Sequence, residues 1–322
     1  MRVLSLFFVL AFFMLSLPPQ ARADDEKKYI LVTGASTGIG RNLTETLARK
    51  GYFVYAGARK DKDLAALNAI DNVTAVRLDV TIQEEIDAAV EFIQEQGTGL
   101  YALVNNAGVG GRGSVVDTPI DQQTFIYEVN VEGVYRVTQA FAPMIIESKG
   151  RIATTGSIAG TISWPGGSAY SGSKHWIEAF TDALAGEMAP QGVTVSVIEP
   201  GNYQSFIRRS TVLRQFARIK AAGGEVTDEM QKQFQATEER ELSFKQPDEV
   251  SAAYLHALFD EKPFKRYVVV PNAQEQAMTI KAKIAKLVEL NQWGPHRYSD
   301  EELMGLVREA LNASSDGEPE GE

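Results

Sequence analysis

Tyr170 and Lys174 stand four residues apart in a run, Ser168–Ala189, whose apolar spacing predicts a helix, so the two side chains share one face. A free phenol titrates near ~10 and is a weak acid or base at neutral pH. An ammonium one turn away and a cationic ring beside it would both favour phenolate. A shift of ~3 units needs about 4 kcal/mol of differential stabilisation. A close, partly desolvated charge supplies much of that. Taken alone, the pair reads as a surface contact. A second feature upstream changes that reading.

Thr33-Gly-Ala-Ser-Thr-Gly-Ile-Gly40 follows a predicted strand, Tyr29–Val32, and opens a predicted helix, Arg41–Lys50. Gly34 permits a tight turn, Gly38 lets backbone approach a pyrophosphate, and Gly40 lets helix pack closely on strand. Ser36, Thr37 and Ile39 complete the turn. The helix N-terminus behind it offers free N–H groups and a positive dipole end to phosphates. A plain strand-to-helix turn is the alternative.

These residues need elements to hold them. Tyr52–Ala56, Val73–Leu78, Leu100–Val104, Arg151–Thr155 and Thr194–Ile198 read as further buried strands. Asp61–Ile70, Thr81–Gln96 and Asp121–Ser148 read as helices between them. Such alternation implies βαβ units and an α/β fold. The expectation is a doubly wound, Rossmann-type parallel sheet of seven strands with helices on both faces. Its last strand is Arg266–Val270, after a helix at Pro247–Phe259. A single domain would span 24–312, with residues 206–246 as a helical insertion rich in Arg, Lys, Glu and Gln. Helical stretches near Glu275–Glu289 and Asp300–Asn312 follow, and 313–322 reads as an acidic, disordered tail.

Composition narrows the chemistry. The chain has 322 residues, no cysteine and a formal net charge of −10. Absence of cysteine excludes disulfides, thiolate metal sites and cysteine nucleophiles. His175, His256 and His296 have no ligand-like spacing, so no metal is expected. The acidic balance argues against a nucleic-acid partner. Met1-Arg2, apolar Val3–Leu17, Pro18-Pro19 and Ala21-Arg22-Ala23 fit an export signal over 1–23. The apolar run is shorter than the ~20 residues of a membrane-spanning helix. The alternative is an uncleaved anchor, so the expected location is exported, periplasmic or secretory, or membrane-anchored through this segment.

The turn's spacing is Gly-x-x-x-Gly-x-Gly. Together with Asn105-Asn-Ala-Gly108 after the fourth strand and Tyr170-Ser-Gly-Ser-Lys174, it resembles the short-chain dehydrogenase/reductase family over about residues 28–205. The resemblance implies a nicotinamide-dependent oxidoreductase acting on secondary alcohols and ketones. It gives Tyr170 the part of acid and base, with Lys174 as its partner. Ser157 would hydrogen-bond the substrate oxygen; where the family usually shows Ser-Ser, this chain has Gly156-Ser157. Asn130, in Asn-Val-Glu-Gly133, matches the fourth member of the family's tetrad, its amide interrupting a helix and holding a water that links Lys174 to solvent.

Cofactor choice is argued at the end of the second strand, where NAD-binding folds carry an acid for the ribose and NADP-binding ones an Arg for the 2′-phosphate. Here Ala58-Arg59 stands there with no carboxylate, which favours NADP over NAD; a guanidinium is a fixed bidentate donor to phosphate. Thr37 counts the other way, since many NADP members of the family carry a basic residue inside the turn. By resemblance, Asp79 and Val80 meet the adenine, and Asn106, Ala107 and Gly108 pack under the adenosine ribose. Pro200, Gly201 and Ser205 meet the nicotinamide amide, with Ser205 replacing the commoner Thr.

The substrate is the least legible part. Lys174-His-Trp-Ile-Glu-Ala-Phe180 and Val197-Ile-Glu-Pro-Gly-Asn resemble the steroid, retinol and 3-hydroxybutyrate branch of the family. Residues 206–246 would form a lid, with Phe206, Ile207, Val212, Leu213 and Phe216 as an apolar wall. Arg208, Arg209 and Arg214 could meet an acidic group, but read rather as a solvated helix face, and Trp164-Pro-Gly-Gly167 as a border of the pocket. The expected partner is a lipophilic secondary alcohol or ketone, and the expected assembly a homodimer or homotetramer through helices near 121–148 and 168–189. The competing reading is a dinucleotide-binding regulatory protein that does no chemistry.

Overall fold

A computed structural model of the chain describes residues 27–315. The expected leader over 1–23 and the acidic stretch from Asp316 lie outside the described residues. Ile30, Leu31 and Val32 are each wholly buried, the mark of a strand covered on both faces. They lie in β1 (Tyr29–Val32), at the centre of a parallel sheet. The other strands are β2 (Phe53–Ala58), β3 (Val73–Arg77), β4 (Ala102–Asn105), β5 (Arg151–Thr155), β6 (Thr194–Pro200) and β7 (Arg266–Val269). Their spatial order is β3-β2-β1-β4-β5-β6-β7. The order reverses between β1 and β4, and the crevice outside the strand ends at such a reversal is where open α/β sheets take ligands.

Alternate strand residues feed two cores. Leu31 and Leu103 face α3 (Gln83–Glu95), α5 (Gly133–Glu147) and α6 (Ser168–Met188), packing with Ile86, Phe141, Ile145 and Leu184. Ile30, Val32 and Val104 face α1 (Gly38–Arg49), α2 (Asp61–Asn68) and α9 (Asp248–Phe259), packing with Leu43, Leu67, Val250 and Tyr254. Each such aliphatic side chain contributes about 1.5–3 kcal/mol on burial. The seven-stranded sheet with helices on both faces is the architecture expected.

Three details sharpen the expected elements. The expected helix over 121–148 is interrupted: α4 (Ile120–Tyr127) and α5 flank a π-helical turn, Glu128–Glu132, that contains Asn130. The insertion over 206–246 is a pair of helices, α7 (Ile207–Ala221) and α8 (Asp228–Leu242), with Gly223 at φ +76° where the chain reverses. The last helices, α10 (Ala273–Leu290) and α11 (Asp300–Ser315), run longer than expected, the latter three residues beyond Asn312. No helix among the described residues is long and apolar enough to cross a membrane.

Candidate active site

The glycine turn is held by the turn after β4. Thr33 Oγ1 accepts hydrogen bonds from the backbone N–H of Asn106 (2.9 Å) and Ala107 (3.0 Å). Asn106 Nδ2 donates to the carbonyls of Thr33 (3.0 Å) and Gly34 (3.1 Å). Gly34 has φ +64°, and a Cβ there would lie 2.8 Å from Ala107 Cα. At Gly40 a Cβ would meet the Gly34 carbonyl and Asn106 Nδ2, so this helix start tolerates no side chain. Thr37 precedes α1 in extended backbone and makes no side-chain cap. The first N–H groups of the helix are therefore left for a ligand. A cavity of about 210 Å³ opens there, lined by Thr37, Gly38, Arg41, Ser205 and Phe206 among others. Ser36 and Ile39 are half-buried in the turn. Free helix N–H groups, glycines at the approach and a cavity over them fit the phosphates of a dinucleotide.

Tyr170 and Lys174 lie on successive turns of α6, with Lys174 Nζ 5.9 Å from the Tyr170 ring centroid. Ser157, just past β5, lies near enough to the phenol to pull its value down, and accepts from Ala159 N–H at 3.1 Å. Phenol, ammonium and alcohol thus converge at the C-terminal end of the sheet. Burial pushes the Tyr170 phenol above its ordinary value, although Ser157 and the Arg208 guanidinium pull it down. Burial also pushes Lys174 down to about 8, against the opposing pull of Glu178. The ammonium is directed at the Thr155 carbonyl, 2.7 Å away. The protein's own groups therefore leave the phenol neutral rather than poised.

Asn130 is buried, and its amide ties two neighbouring elements together. Oδ1 accepts from Val109 N–H (2.8 Å), while Nδ2 donates to the Val109 carbonyl (3.0 Å) and to Ser173 Oγ (3.1 Å). Both amide donors are used in clamping the loop after β4 to α6, and the π-helical turn is the local backbone that lets the side chain reach both. A Cβ on Gly108 would lie 3.4 Å from Asn130 Oδ1 and 4.0 Å from Lys174 Nζ, so glycine keeps the two groups facing one space.

On the other half of the crevice, Arg59 follows β2 and pairs with Asp79 at 3.1 Å. Asp79 also accepts from Thr81 N–H (3.0 Å) and Thr81 Oγ1 (2.8 Å). Burial would raise its carboxyl, but these bonds and Arg59 hold it below the ordinary value. Val80 points inward, against Gly133 at the start of α5. Pro200 ends β6, and Gly201 sits where a Cβ would strike Glu275 of α10. Ser205 lines the cavity at the glycine turn, and its Oγ donates to Glu241 Oε1 at 3.3 Å. Glu241 is wholly buried in α8. It caps α7 by accepting from Arg208 N–H (3.0 Å) and pairs with Arg209 Nε (2.9 Å).

The insertion corrects a further expectation. Arg209 and Arg214 are not a solvated face. Arg209 pairs with Glu238 and Glu241, and Arg214 donates to the Gly110 carbonyl at 2.6 Å. Of the expected apolar wall, Phe216 packs inward on Phe234 while Leu213 is exposed. Trp164 borders a cavity of about 420 Å³ with Ser163, Pro165, Ser168, Gly172 and His175, a lining that includes neither Tyr170 nor Ser157. Missed were Thr33, Thr155 and Tyr254, whose hydroxyl meets Thr155 Oγ1 at 2.5 Å, and the buried carboxyl of Glu199. Only Thr33, opening the glycine turn, carried any signal in the sequence.

A family model described as short chain dehydrogenase matches residues 28–215. Mitochondrial D-beta-hydroxybutyrate dehydrogenase of Mus musculus is 35% identical over 245 residues, 73% of this chain and 66% of that protein. Retinol dehydrogenase 16 of Rattus norvegicus is 35% identical over 193 residues, 58% of this chain and 61% of that one. The chain thus spans slightly less than two thirds of the length of these relatives. A short-chain dehydrogenase from Streptomyces avermitilis superposes with a TM-score of 0.67 at 28% identity, covering 84% of this chain and 97% of that structure.

Proposed function

The chain belongs to the short-chain dehydrogenase/reductase family, and from that premise we propose that it interconverts a lipophilic secondary alcohol and its ketone with NADP(H). The observation that carries this reading is the convergence of Tyr170, Ser157 and Lys174 at the mouth of a crevice whose other half is a glycine turn. When bound, the dinucleotide supplies or accepts the hydride. The chain's residues do the rest. Ser157 and Tyr170 hold the carbonyl oxygen, and in reduction Tyr170 gives it the phenolic proton. Lys174, buried and hydrogen-bonded to Thr155, keeps a positive charge beside the phenolate that forms. Asn130 fixes the loop after β4 against α6, so the space in front of Lys174 stays open.

NADP is preferred because β2 ends without a carboxylate and Arg59 stands at that place, its exposed ion pair with Asp79 weak enough to exchange for a phosphate. The 206–246 helices act as the substrate lid. Val115, Val116, Ile120, Trp164 and Leu213 are exposed apolar side chains on the lid and on the loops it adjoins, which suits a lipophilic skeleton. The alternative of a dinucleotide-binding regulator has no specific observation in its favour. The test is Tyr170→Phe assayed with NADPH and NADH against a ketone panel. A loss of about 10²–10⁴-fold in kcat with cofactor affinity retained is expected from removal of a general acid; unchanged turnover rejects the assignment.

A further inference from the structure

Burial along α10 follows a stripe. Glu275, Ala282 and Lys286 are half-buried and Thr279 is buried, a spacing that places all four on one side of the helix. Three of the four are polar, while Ile280, Ile284, Leu287 and Val288 are exposed. Apolar burial therefore does little to hold this helix in place, and hydrogen bonds take over that task. At the first turn of α10, Glu275 Oε2 accepts from Asn202 N–H at 2.9 Å, in the segment after β6. About three turns further on, Lys286 Nζ donates to the Thr161 carbonyl at 2.7 Å and to His175 Nε2 at 3.0 Å. The other imidazole nitrogen, Nδ1, lies 2.9 Å from the Ser171 carbonyl. A carbonyl only accepts, so Nδ1 carries the hydrogen and Nε2 is the acceptor for the ammonium.

Both partners of Lys286 belong to the elements that build the site. Thr161 ends the short 3-10 turn Ile158–Gly160, and its N–H bonds the Ile158 carbonyl at 3.0 Å. Ser157 caps the start of that turn. His175 follows Lys174 in α6. One ammonium thus joins the turn behind Ser157 to the helix that carries Tyr170 and Lys174. The two pieces pass closely: a Cβ on Gly160 would lie 2.9 Å from the Lys174 carbonyl oxygen. Ser157 and Tyr170 come from separate elements yet must hold one oxygen. A misplacement of about 1 Å by a change far from the chemistry costs on the order of 10²-fold in rate.

We propose that Lys286 is a positioning residue for the reaction, setting Ser157 and Tyr170 at the separation at which both hold one substrate oxygen. This rests on the oxidoreductase reading of the site. Because α10 lies beyond residues 28–215, the stretch that the family model matches, the positioning comes from outside that stretch.

The test uses the full chain with NADPH and the ketone that turns over fastest. Lys286→Met should lower kcat by about ten- to a hundredfold, with KM for NADPH and ketone close to native. Lys286→Arg, which can also donate to both acceptors, should restore part of the loss. His175→Phe keeps the Thr161 bond and should cost less, and the double variant should be no worse than Lys286→Met alone. Losses that multiply in the double variant overturn the proposal, as does a native kcat in Lys286→Met. Thr279→Ala loosens α10 at a point that touches neither partner and should leave kcat native. A loss there equal to that in Lys286→Met marks a merely structural part for the helix and overturns the assignment. If Lys286→Met does not fold, His175→Phe decides: a lowered kcat at native KM supports the tie, and native kinetics overturn it. If the native chain turns over no ketone, the oxidoreductase reading fails, and backbone hydrogen exchange decides this one separately. Lys286→Met should then speed exchange over residues 158–168 by about tenfold or more relative to β1 and β4, and unchanged exchange there overturns the tie.

Discussion

Lys174 Nζ donates a 2.7 Å hydrogen bond to the main-chain carbonyl of Thr155, joining α6 to the end of β5 through a buried cation. Burial lowers this lysine from 10.5 to about 8. Below pH 8 the folded chain must carry a charge it would shed, so the ionised form is held at a cost of about 3 kcal/mol. Between about pH 8 and 10.5 the unfolded chain binds more protons than the folded one, so this group makes stability rise with pH. Lys174→Met removes that dependence but leaves the Thr155 carbonyl without its partner, a penalty of about 1–3 kcal/mol. The expected outcome is little net change in unfolding free energy at pH 7, with the variant falling behind the native chain as pH rises from 8 to 10.5. Denaturant titrations across that range check it; parallel profiles for the two proteins contradict it. Turnover should be lost in the variant at every pH.

Arg59 tests the cofactor preference. Its ion pair with Asp79 is 55% exposed on the arginine side, and such pairs contribute at most about 1 kcal/mol to folding. Arg59→Ala should therefore leave the thermal midpoint almost unchanged. The same guanidinium against a 2′-phosphate makes charge-assisted bonds, whose loss should raise KM for NADPH by about tenfold or more and leave NADH kinetics close to native. The decisive quantity is the ratio of kcat/KM for the two cofactors. A ratio that survives the substitution removes Arg59 from cofactor selection.

What was legible in the sequence follows from locality. The glycine turn, Tyr170 with Lys174, and the strand–helix alternation are each written in fewer than twenty consecutive residues, because turn geometry and helical period are local properties. The interruption at Asn130 was anticipated, but its partners, Val109 and Ser173, come from loop and helix far along the chain. The same holds for Ser205, whose hydroxyl goes to Glu241 across the insertion. Arg209 and Arg214 looked solvated because their partners, Glu238, Glu241 and the Gly110 carbonyl, are set by how α7 and α8 fold over the crevice. Spacing locates the ammonium one turn from Tyr170, but only packing shows that burial works against the phenolate.

Glu241 ties the insertion together. It accepts from two backbone N–H groups of the first turn of α7, from Ser205 and from Arg209. Removing a buried charged acceptor strands these donors, at about 1–3 kcal/mol for each left unpaired. Because α7 and α8 lie outside the two cores, the loss should appear as local opening rather than global unfolding. Glu241→Ala should speed backbone hydrogen exchange over residues 205–221 by about ten- to a hundredfold, with exchange in β1, β4 and β5 unchanged. Uniform acceleration through the sheet, or none in α7, contradicts a local latch.

Glu199 sets the acid side of the stability profile. It lies on β6, 2% exposed, and burial together with the Glu178 charge pushes it up to about 7, although Arg266 and Lys283 pull the other way. Glu178 pairs through Oε2 with Arg266 Nε at 2.9 Å, while its Oε1 is buried with no hydrogen-bond partner among the described residues. With the folded value raised above 4.5, the contribution of Glu199 is fully present below pH 4.5 and is lost as pH rises through 7. The whole span amounts to about 3 kcal/mol. Glu199→Gln keeps the shape and cannot ionise. The native chain should therefore lose stability relative to the variant between pH 4.5 and 7, and the gap should stay level from 7 to 8, below the window in which Lys174 titrates. Unfolding free energies at half-unit intervals resolve the two windows. A gap that is constant across pH 4.5–7 would show that Glu199 is ionised throughout and that burial does not govern its proton.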